Sequence, residues 1–392
     1  MRIGVLIPNL ESSAGGSYTF VRSIIDELSS LNSNRHEIVF LVTSNQQLLE
    51  KKSSLETILL PKRCFSRISR LTALVLLAAK AFKDRQALDR DLVSGYFLSK
   101  YLTRKKFEFV WSLEPLGFPL AVPYGTSHWD LAHRVEPIFP EFSGMQGEWK
   151  RREKRNRTVL QRAALVCTGT KQGYSEIEAA YGIDLRNCLI VPMPVKQHFD
   201  DQSAKRESNL FIYPAQFWPH KNHVTLIRAF HEARKESGIE LQLVLTGSDK
   251  GFKIKILNLV KELSLEDSVL IPGFVTEQIL VDYYKKARML LFPTHLGPDN
   301  IPPLEAMSYG CAVAVSDVPG AREQFGEAAN YFNPNSIEEI KRVILRAAKD
   351  PQDDDKRIEL GIQLAANCSP ANYVYQVMLR LDLLEKKIWN SN

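Results

Sequence analysis

Residues 289–316 read MLLFPTHLGPDNIPPLEAMSYGCAVAVS. Two short apolar runs, MLLFPT and CAVAVS, flank a stretch of a different kind. A run of this length that is apolar throughout fits a strand buried on both faces, and two such runs joined through a helix fit a parallel pair. The helix is delimited by its own residues. Pro302 and Pro303 lose nothing at the first helical positions, where N–H groups have no intrahelical partner. Gly310 suits the C′ position that ends a helix. The backbone N–H groups around Asn300 and Ile301 are then expected at a positive dipole end, with Glu305 about one turn further in. Such a terminus suits a phosphate. A carboxylate beside it suits neutral hydroxyls better than a second anion, and a sugar nucleotide offers both groups.

The same alternation extends in both directions. In the C-terminal half LFIYPA, LQLVLTG, SVLIPGF, MLLFPT, CAVAVS and AANYF read as strands with helices between them. The helix after AANYF opens with Ser336 and Glu339, a capping box, and Ile340, Val343, Ile344 and Ala347 keep helical spacing. In the N-terminal half RIGVLIPN, HEIVFLVT, ETILL, FEFVWSL, ALVCTGT and CLIVPMPV read as strands. ESSAGGSYTFVRSIIDELSS is a glycine loop opening an amphipathic helix. The polar, aperiodic KQHFDDQSAKRESN, residues 196–209, reads as a linker. The fold expected is α/β, two Rossmann-like parallel-sheet domains facing across a cleft, over residues 1–195 and 210–368. A C-terminal helix within 369–392 is expected to pack back on the first domain.

A chain of 392 residues agrees with two domains. Cys64, Cys167, Cys188, Cys311 and Cys368 are scattered and never form C-x-x-C, which fits reduced thiols. No leader is visible, and the longest apolar run, near Leu71–Ala79, is too short to span a bilayer. These features predict a cytoplasmic protein. Residues 1–198 hold 28 Lys and Arg against 19 Asp and Glu, and the remainder 23 against 26, so the halves carry +9 and −3. A basic first half points to an anionic partner. Nucleic acid is not expected, because the basic residues lack interleaved stacking aromatics. SRISRLTALVLLAAKAFKDR, residues 66–85, combines an apolar body with Arg67, Arg70, Lys80, Lys83 and Arg85. It reads either as an interfacial helix drawn to anionic lipid, peripheral on the inner face of a membrane, or as a helix packed on its own sheet. DRD at 89–91 and DDD at 353–355 read as a charged helical face and a solvated loop, and no metal ligand is expected from them.

In YPAQFWPHKNHVTLIRAF, residues 213–230, a strand ends at Ala215 and a tight loop presents His220 and Lys221 before a helix. Lys221 there either reaches phosphate oxygens across the cleft or is a solvated loop lysine. YPAQFWPHKNH, LTGSD, PGFVTEQILVDYYKKA, LFPTHLGPDNIPPLEAMSYGCAVAVSD and GAREQFGEAANYFNP, in that order and spacing, resemble the C-terminal domain of the family-4 (group 1) retaining glycosyltransferases, which have the GT-B fold. The resemblance is dense over 209–349. It is looser but coherent in AGGSYTFVRSI, HWDLAHRVEPIFPEFS, CTGTKQGYSEI and LIVPMPV.

The resemblance implies an acceptor-binding N-terminal domain, a nucleotide-sugar-binding C-terminal domain and no cofactor or metal. Lys221 matches the lysine that neutralises the donor diphosphate, and Glu305 the glutamate that holds the ribose hydroxyls. Asn300 and Ile301 match positions whose backbone amides touch the donor. Phe274 and Val275 match the loop packed against the nucleobase, and Gly15 and Gly16 the N-domain glycine loop. Three departures stand out. Gly297 occupies the place of the family's first glutamate, so hydroxyl recognition passes to Asp299 or Asn300. Gln216 replaces an arginine, with His220 as partial compensation. Trp129-Asp130-Leu131 replaces His-Asp-Leu, with His128 and His133 close by, which leaves Asp130 and His133 as the N-domain catalytic candidates, both histidines being equally open to a structural role. The expected activity is hexosyl transfer, mannosyl among the options, from a nucleotide diphosphate sugar to a glycan or lipid-linked acceptor in polysaccharide or envelope biosynthesis. The alternatives are a non-catalytic nucleotide-sugar- or glycan-binding subunit and a nucleotide-sugar epimerase.

Overall fold

The apolar runs form two all-parallel sheets in a computed structural model that describes residues 1–11, 15–31, 35–43, 55–61, 90–143, 147–196, 206–297 and 299–389. The basic segment at 66–85, and Cys64, lie outside the described residues. The first sheet contains β1 (Arg2–Ile7), β2 (Glu37–Val42), β3 (Glu56–Leu59), β4 (Phe109–Ser112), β5 (Tyr124–Ser127), β6 (Leu165–Thr168) and β7 (Cys188–Ile190), in the order β3-β2-β1-β4-β5-β6-β7. The second contains β8 (Glu207–Pro214), β9 (Gln242–Thr246), β10 (Val269–Gly273), β11 (Ala287–Phe292), β12 (Ala312–Ser316) and β13 (Asn330–Phe332), in the order β10-β9-β8-β11-β12-β13. Both are Rossmann orders, with the direction of winding reversing between β1 and β4 and between β8 and β11. Loops leaving the carboxyl ends of strands at such a point form the natural ligand crevice. In the second domain those loops are 215–222 and 293–300.

The strand β5, YGTS, is not visible as a hydrophobic run. It is buried nonetheless, because its polar groups find partners: Tyr124 Oη donates to the Val159 carbonyl at 2.7 Å, Ser127 Oγ to that of Leu113 at 3.0 Å, and the Leu116 N–H donates to Thr126 Oγ1 at 2.9 Å. The sheet of the second domain also begins earlier than the sequence suggests. Glu207 opens β8, and Arg206 donates to the Tyr284 and Ala287 carbonyls at 2.9 and 3.0 Å, so the end of the stretch read as linker belongs to that domain.

The chain crosses between domains twice, and the crossings touch: the Val195 N–H donates to the Cys368 carbonyl at 2.8 Å. Beyond the second crossing, the helix Pro370–Trp389 lies on the first domain. Tyr373 meets Phe20 edge-on and stacks on Trp111, with centroids 5.4 and 6.5 Å away. Asp382 takes His36 and Arg35 at 2.8 and 2.9 Å, and Glu385 the Met1 ammonium at 3.0 Å. Cys167, Cys188, Cys311 and Cys368 are free and buried. Among the described residues no helix is long and apolar enough to cross a membrane.

The triplet at 353–355 is not a solvated loop throughout. The Asp354 side chain is fully buried and accepts from Arg288 Nη2 at 2.7 Å and Asn330 Nδ2 at 2.9 Å. Arg288, itself 3% exposed, also donates from Nε to the Ala347 carbonyl at 2.8 Å, so one ion pair ties β11, β13 and the helix Ile337–Lys349 together. The run of three acids carries no sign of this, because the partner lies 66 residues away. Asp354→Ala strands a buried guanidinium and is expected to cost about 3–5 kcal/mol, whereas Asp353→Ala, at a half-exposed pair with Arg346, costs less than about 1 kcal/mol. Urea unfolding of the two variants reads the difference; equal losses would remove the buried pair from the account.

Candidate active site

The helix Ile301–Ser308 starts as its prolines dictate, with Asn300 at the N-cap. Gly310, at φ +67°, ends it, with N–H donating to the Met307 carbonyl at 2.9 Å and the next N–H, of Cys311, donating to that of Ala306 at 3.0 Å. One expectation fails here. The Asn300 N–H does not face an open anion site, because it donates to Gln324 Oε1 at 3.1 Å, and Gln324 Nε2 returns a bond to the Asn300 carbonyl at 3.0 Å. Pro302 and Pro303 have no N–H, so Ile301 is the first residue of the helix able to offer one to an anion. Four residues in, Glu305 accepts from Tyr284 Oη at 2.9 Å, and burial, only partly opposed by that bond, pushes its carboxyl up to about 7.

The loop after β8 is fixed by residues that sequence reasoning did not single out. Pro219–Lys221 form a short 3-10 turn, and Asn222 follows in the left-handed region at φ +59°. Asn222 is buried and donates to the Pro293 and Pro334 carbonyls at 3.0 and 2.7 Å, which offsets the strain and welds this loop to the one after β11. Tyr213 Oη donates to the Lys221 carbonyl at 2.7 Å. The Lys221 ammonium lies 5.4 Å from the centroid of Phe292. Burial brings its pKa down to about 8, with Asp130 and Glu141 of the opposite domain working to raise it.

One interdomain cavity of about 400 Å³ is lined by Gly15, Gly16, Gln216, Lys221, Phe274, Val275, Asp299, Asn300, Ile301 and Glu305. Ten of the thirteen residues singled out from the sequence therefore meet in one place. Gly15, at φ +72°, precedes the helix Gly16–Ser30, and a Cβ on Gly16 would sit 3.5 Å from Ile301 across the cleft. Gln216 accepts from Trp218 Nε1 at 3.0 Å, and Phe274 is 47% exposed at the rim. Gly297 has a steric reason for being glycine: a Cβ there would lie 2.4 Å from the Pro319 carbonyl oxygen, so no glutamate fits. Asp299, two residues on, accepts from the Gly169 N–H at 3.3 Å through Oδ2, while Oδ1 is buried and has no hydrogen-bond partner. Burial pushes its carboxyl up to about 8.

An adjoining cavity of about 770 Å³ shares Lys221, Asp299 and Asn300 and adds Asp130, Glu141, Arg152 and His220. Burial alone would raise Asp130, but the Arg152 guanidinium at 2.9 Å and the Ala132 N–H at 2.9 Å hold it below the usual carboxylate range. The candidate histidines part company. His220 lines this cavity, and burial takes it down to about 4. His133 lines neither; its side chain is fully buried, 3.4 Å from Glu153 and edge-on to Trp149, which makes it a structural histidine. His128 is likewise buried behind the cleft, its N–H on the Cys167 carbonyl at 2.8 Å.

Residues 195–363 match the family model described as glycosyl transferases group 1. The chain is 27% identical over 176 residues to the O-antigen chain mannosyltransferase RfbU of Salmonella typhimurium, covering 45% of this chain and 48% of that protein. It is 28% identical over 174 residues to the O-antigen chain mannosyltransferase B of Escherichia coli, covering 44% and 45%. The match thus spans about half the length of these relatives. Among solved structures, sucrose-phosphate synthase of Thermosynechococcus elongatus superposes with a TM-score of 0.70 at 15% identity over the whole of both chains. Anabaena HepE, in complex with UDP and glucose, superposes at 0.67 and 13% identity over 97% of this chain and 99% of that one. The fold is therefore GT-B. Residues 195–363 belong to the group 1 glycosyltransferase family.

Proposed function

We propose that this chain is a retaining hexosyltransferase that moves a mannosyl unit from a nucleotide diphosphate sugar to a hydroxyl of a glycan or lipid-linked acceptor in polysaccharide or envelope biosynthesis. The observation that carries the reading is the meeting of Lys221, Ile301 and Glu305 on one interdomain cavity. Lys221 and the helix N-terminus neutralise the charge that develops on the leaving diphosphate. Glu305 accepts from the ribose hydroxyls, and Asp299 takes a sugar hydroxyl in place of the glutamate that Gly297 excludes. In the retaining reading the acceptor hydroxyl attacks from the face the diphosphate leaves, and a departing phosphate oxygen takes its proton. Asp130, on the neighbouring cavity, orients the acceptor. None of these steps needs a metal ion or cofactor. The mannosyl assignment draws on the names of the two O-antigen chain mannosyltransferases that the chain resembles over about half their length. GDP-mannose is accordingly the first donor to try.

Gln216 and Gly297 favour a second reading, a nucleotide-sugar-binding subunit without turnover. A panel of nucleotide sugars, GDP-mannose included, separates the two by release of free nucleotide with and without glycan acceptors. Binding without release under every pairing would establish the second reading. Attachment to an anionic membrane surface through residues 66–85 is part of the proposal. Flotation with anionic vesicles at low salt, lost at high salt and with neutral lipid, is the outcome expected. Flotation that ignores lipid charge would remove it.

Lys221→Ala is expected to lower turnover by roughly 100-fold or more while changing nucleotide affinity much less, since a fixed cation helps the charged transition state most. In the unliganded protein the ammonium is charged below its pKa of about 8, so kcat/KM should fall as pH rises through that value. An unchanged rate in a folded Ala variant would return Lys221 to the surface lysines.

Glu305→Gln should weaken binding of the free nucleoside diphosphate by about 1–3 kcal/mol, the scale of a hydrogen bond to a charged group. Because the carboxylate forms only above about pH 7, wild-type affinity should fall more steeply as pH drops through that value than that of the Gln variant, which keeps only the titration of the diphosphate and of Lys221. Calorimetry across pH reads both, and identical pH curves would sink the ribose role.

A further inference from the structure

The turn that carries Lys221 is held by both domains. From its own side, the His220 carbonyl accepts the His295 N–H at 3.0 Å, and the Lys221 N–H donates to the Trp218 carbonyl at 3.1 Å. From the N-terminal domain comes a clamp of three residues. Phe142 stands 5.1 Å from the His220 ring, Phe139 lies 5.4 Å from that of His295, and Glu141 sits between them in sequence. One oxygen of Glu141, Oε1, accepts both the His220 backbone N–H, at 3.1 Å, and the ring Nδ1–H. Its other oxygen is buried without a hydrogen-bond partner, and the side chain is only 6% exposed.

A neutral acceptor would also satisfy two N–H donors, so what the carboxylate adds is its charge. His220 is not a countercharge, because burial keeps its ring neutral at pH 7. His223, buried between Tyr213 and Phe217, is also neutral. The charges that act on Lys221 are Asp130 and Glu141, and both belong to the opposite domain. Burial works to raise Glu141, but the His220 hydrogen bonds outweigh it and hold the carboxyl below its usual range. The negative charge thus remains available to the lysine.

We propose that Glu141 is the positioning residue for Lys221: by gripping the Pro219–Lys221 turn from across the cleft, it makes charge neutralisation of the leaving group available only when the two domains are closed. This rests on the transferase reading above, and the group it acts through is the lysine rather than the substrate.

Two variants and three readouts test it. Glu141→Ala removes the grip and the charge, and should lower turnover of GDP-mannose by roughly 10- to 100-fold, the scale of a misplaced catalytic group, with GDP affinity by calorimetry little changed. Glu141→Gln keeps an oxygen acceptor for both N–H groups. It should recover most of the turnover near pH 6.5 (about 1.5 pH units below the Lys221 pKa of about 8), yet its kcat/KM should fall at lower pH than that of wild type on the alkaline side, because Lys221 has lost a carboxylate that favours its charged form. Small-angle scattering of the unliganded chain should show a larger radius of gyration for the Ala variant. Unchanged turnover in Glu141→Ala, matching alkaline limbs for Glu141→Gln and wild type, or loss of turnover and GDP affinity in equal proportion would overturn the proposal. A wild type that turns over no nucleotide sugar fails the transferase reading instead. The scattering then decides the clamp alone, an equal radius in the Ala variant overturning it.

Discussion

A cation that must stay charged in a partly dry cleft is the constraint around which this molecule is arranged. Burial works against the Lys221 ammonium, and the two carboxylates that work in its favour, Asp130 and Glu141, sit on the other domain. The lysine is therefore best stabilised when the domains face each other. The groups nearest it in sequence do not compete, since burial leaves His220 and His223 neutral. A diphosphate placed in the cavity would supply more negative charge than either carboxylate, closer to hand. The site is in this sense built one ligand short of balance.

Close approach is the second requirement, and glycines supply it from both sides. Gly16 lets the N-domain loop come within reach of Ile301, Gly169 lets β6 end against Asp299, and Gly297 lets the loop after β11 pass the Pro319 carbonyl. A Cβ at Gly169 or Gly297 would collide with the group it passes, whereas one at Gly16 would make ordinary contact. The glycine at 297 shows how one constraint forces another. It excludes the family's first glutamate by sterics, and the carboxyl that remains nearby, Asp299, is one that burial raises to about 8. A carboxyl that is largely protonated at neutral pH can donate as well as accept, which suits a sugar hydroxyl without adding negative charge beside a diphosphate.

What the sequence reveals and what it hides follow from the range of the interactions. Strands such as MLLFPT and CAVAVS, the start of the helix at Ile301 and its end at Gly310 are local facts, set by apolar runs, prolines and a glycine. They are legible, and the convergence of Lys221 and Glu305 follows from the Rossmann order of the sheet. The strand YGTS is illegible because hydrogen bonds rather than apolar side chains bury it. Asp354 looks solvated because its arginine is distant in the chain. The Asn300 N–H looks free because Gln324, which takes it, belongs to another helix. Glu141 lies inside the stretch HWDLAHRVEPIFPEFS, but nothing local says that its partner is the neighbour of Lys221 in the other domain.

Several of the contacts that close the cleft beside the aromatic clamp are polar and individually weak, and that bears on how the molecule works. The helix Lys171–Tyr181 of the first domain has Thr170 to satisfy the Gly173 N–H, but its first two N–H groups are satisfied from the second domain, where Glu323 accepts from Lys171 and Gln172 at 2.6 and 3.0 Å. Opening the cleft would hand those N–H groups, and the Gly169 N–H on Asp299, to water. Each exchange costs on the order of 1 kcal/mol, far less than parting an apolar interface of similar extent. The two crossings run side by side at Val195 and Cys368. The steric fit is strict where the bonds are soft: a Cβ at Gly169 would lie 2.0 Å from Asp299 Oδ1. An interface of this kind defines one closed geometry sharply while keeping it shallow in free energy. That is the combination a two-domain site needs if it is to admit a large donor, exclude water during transfer and release the nucleotide afterwards.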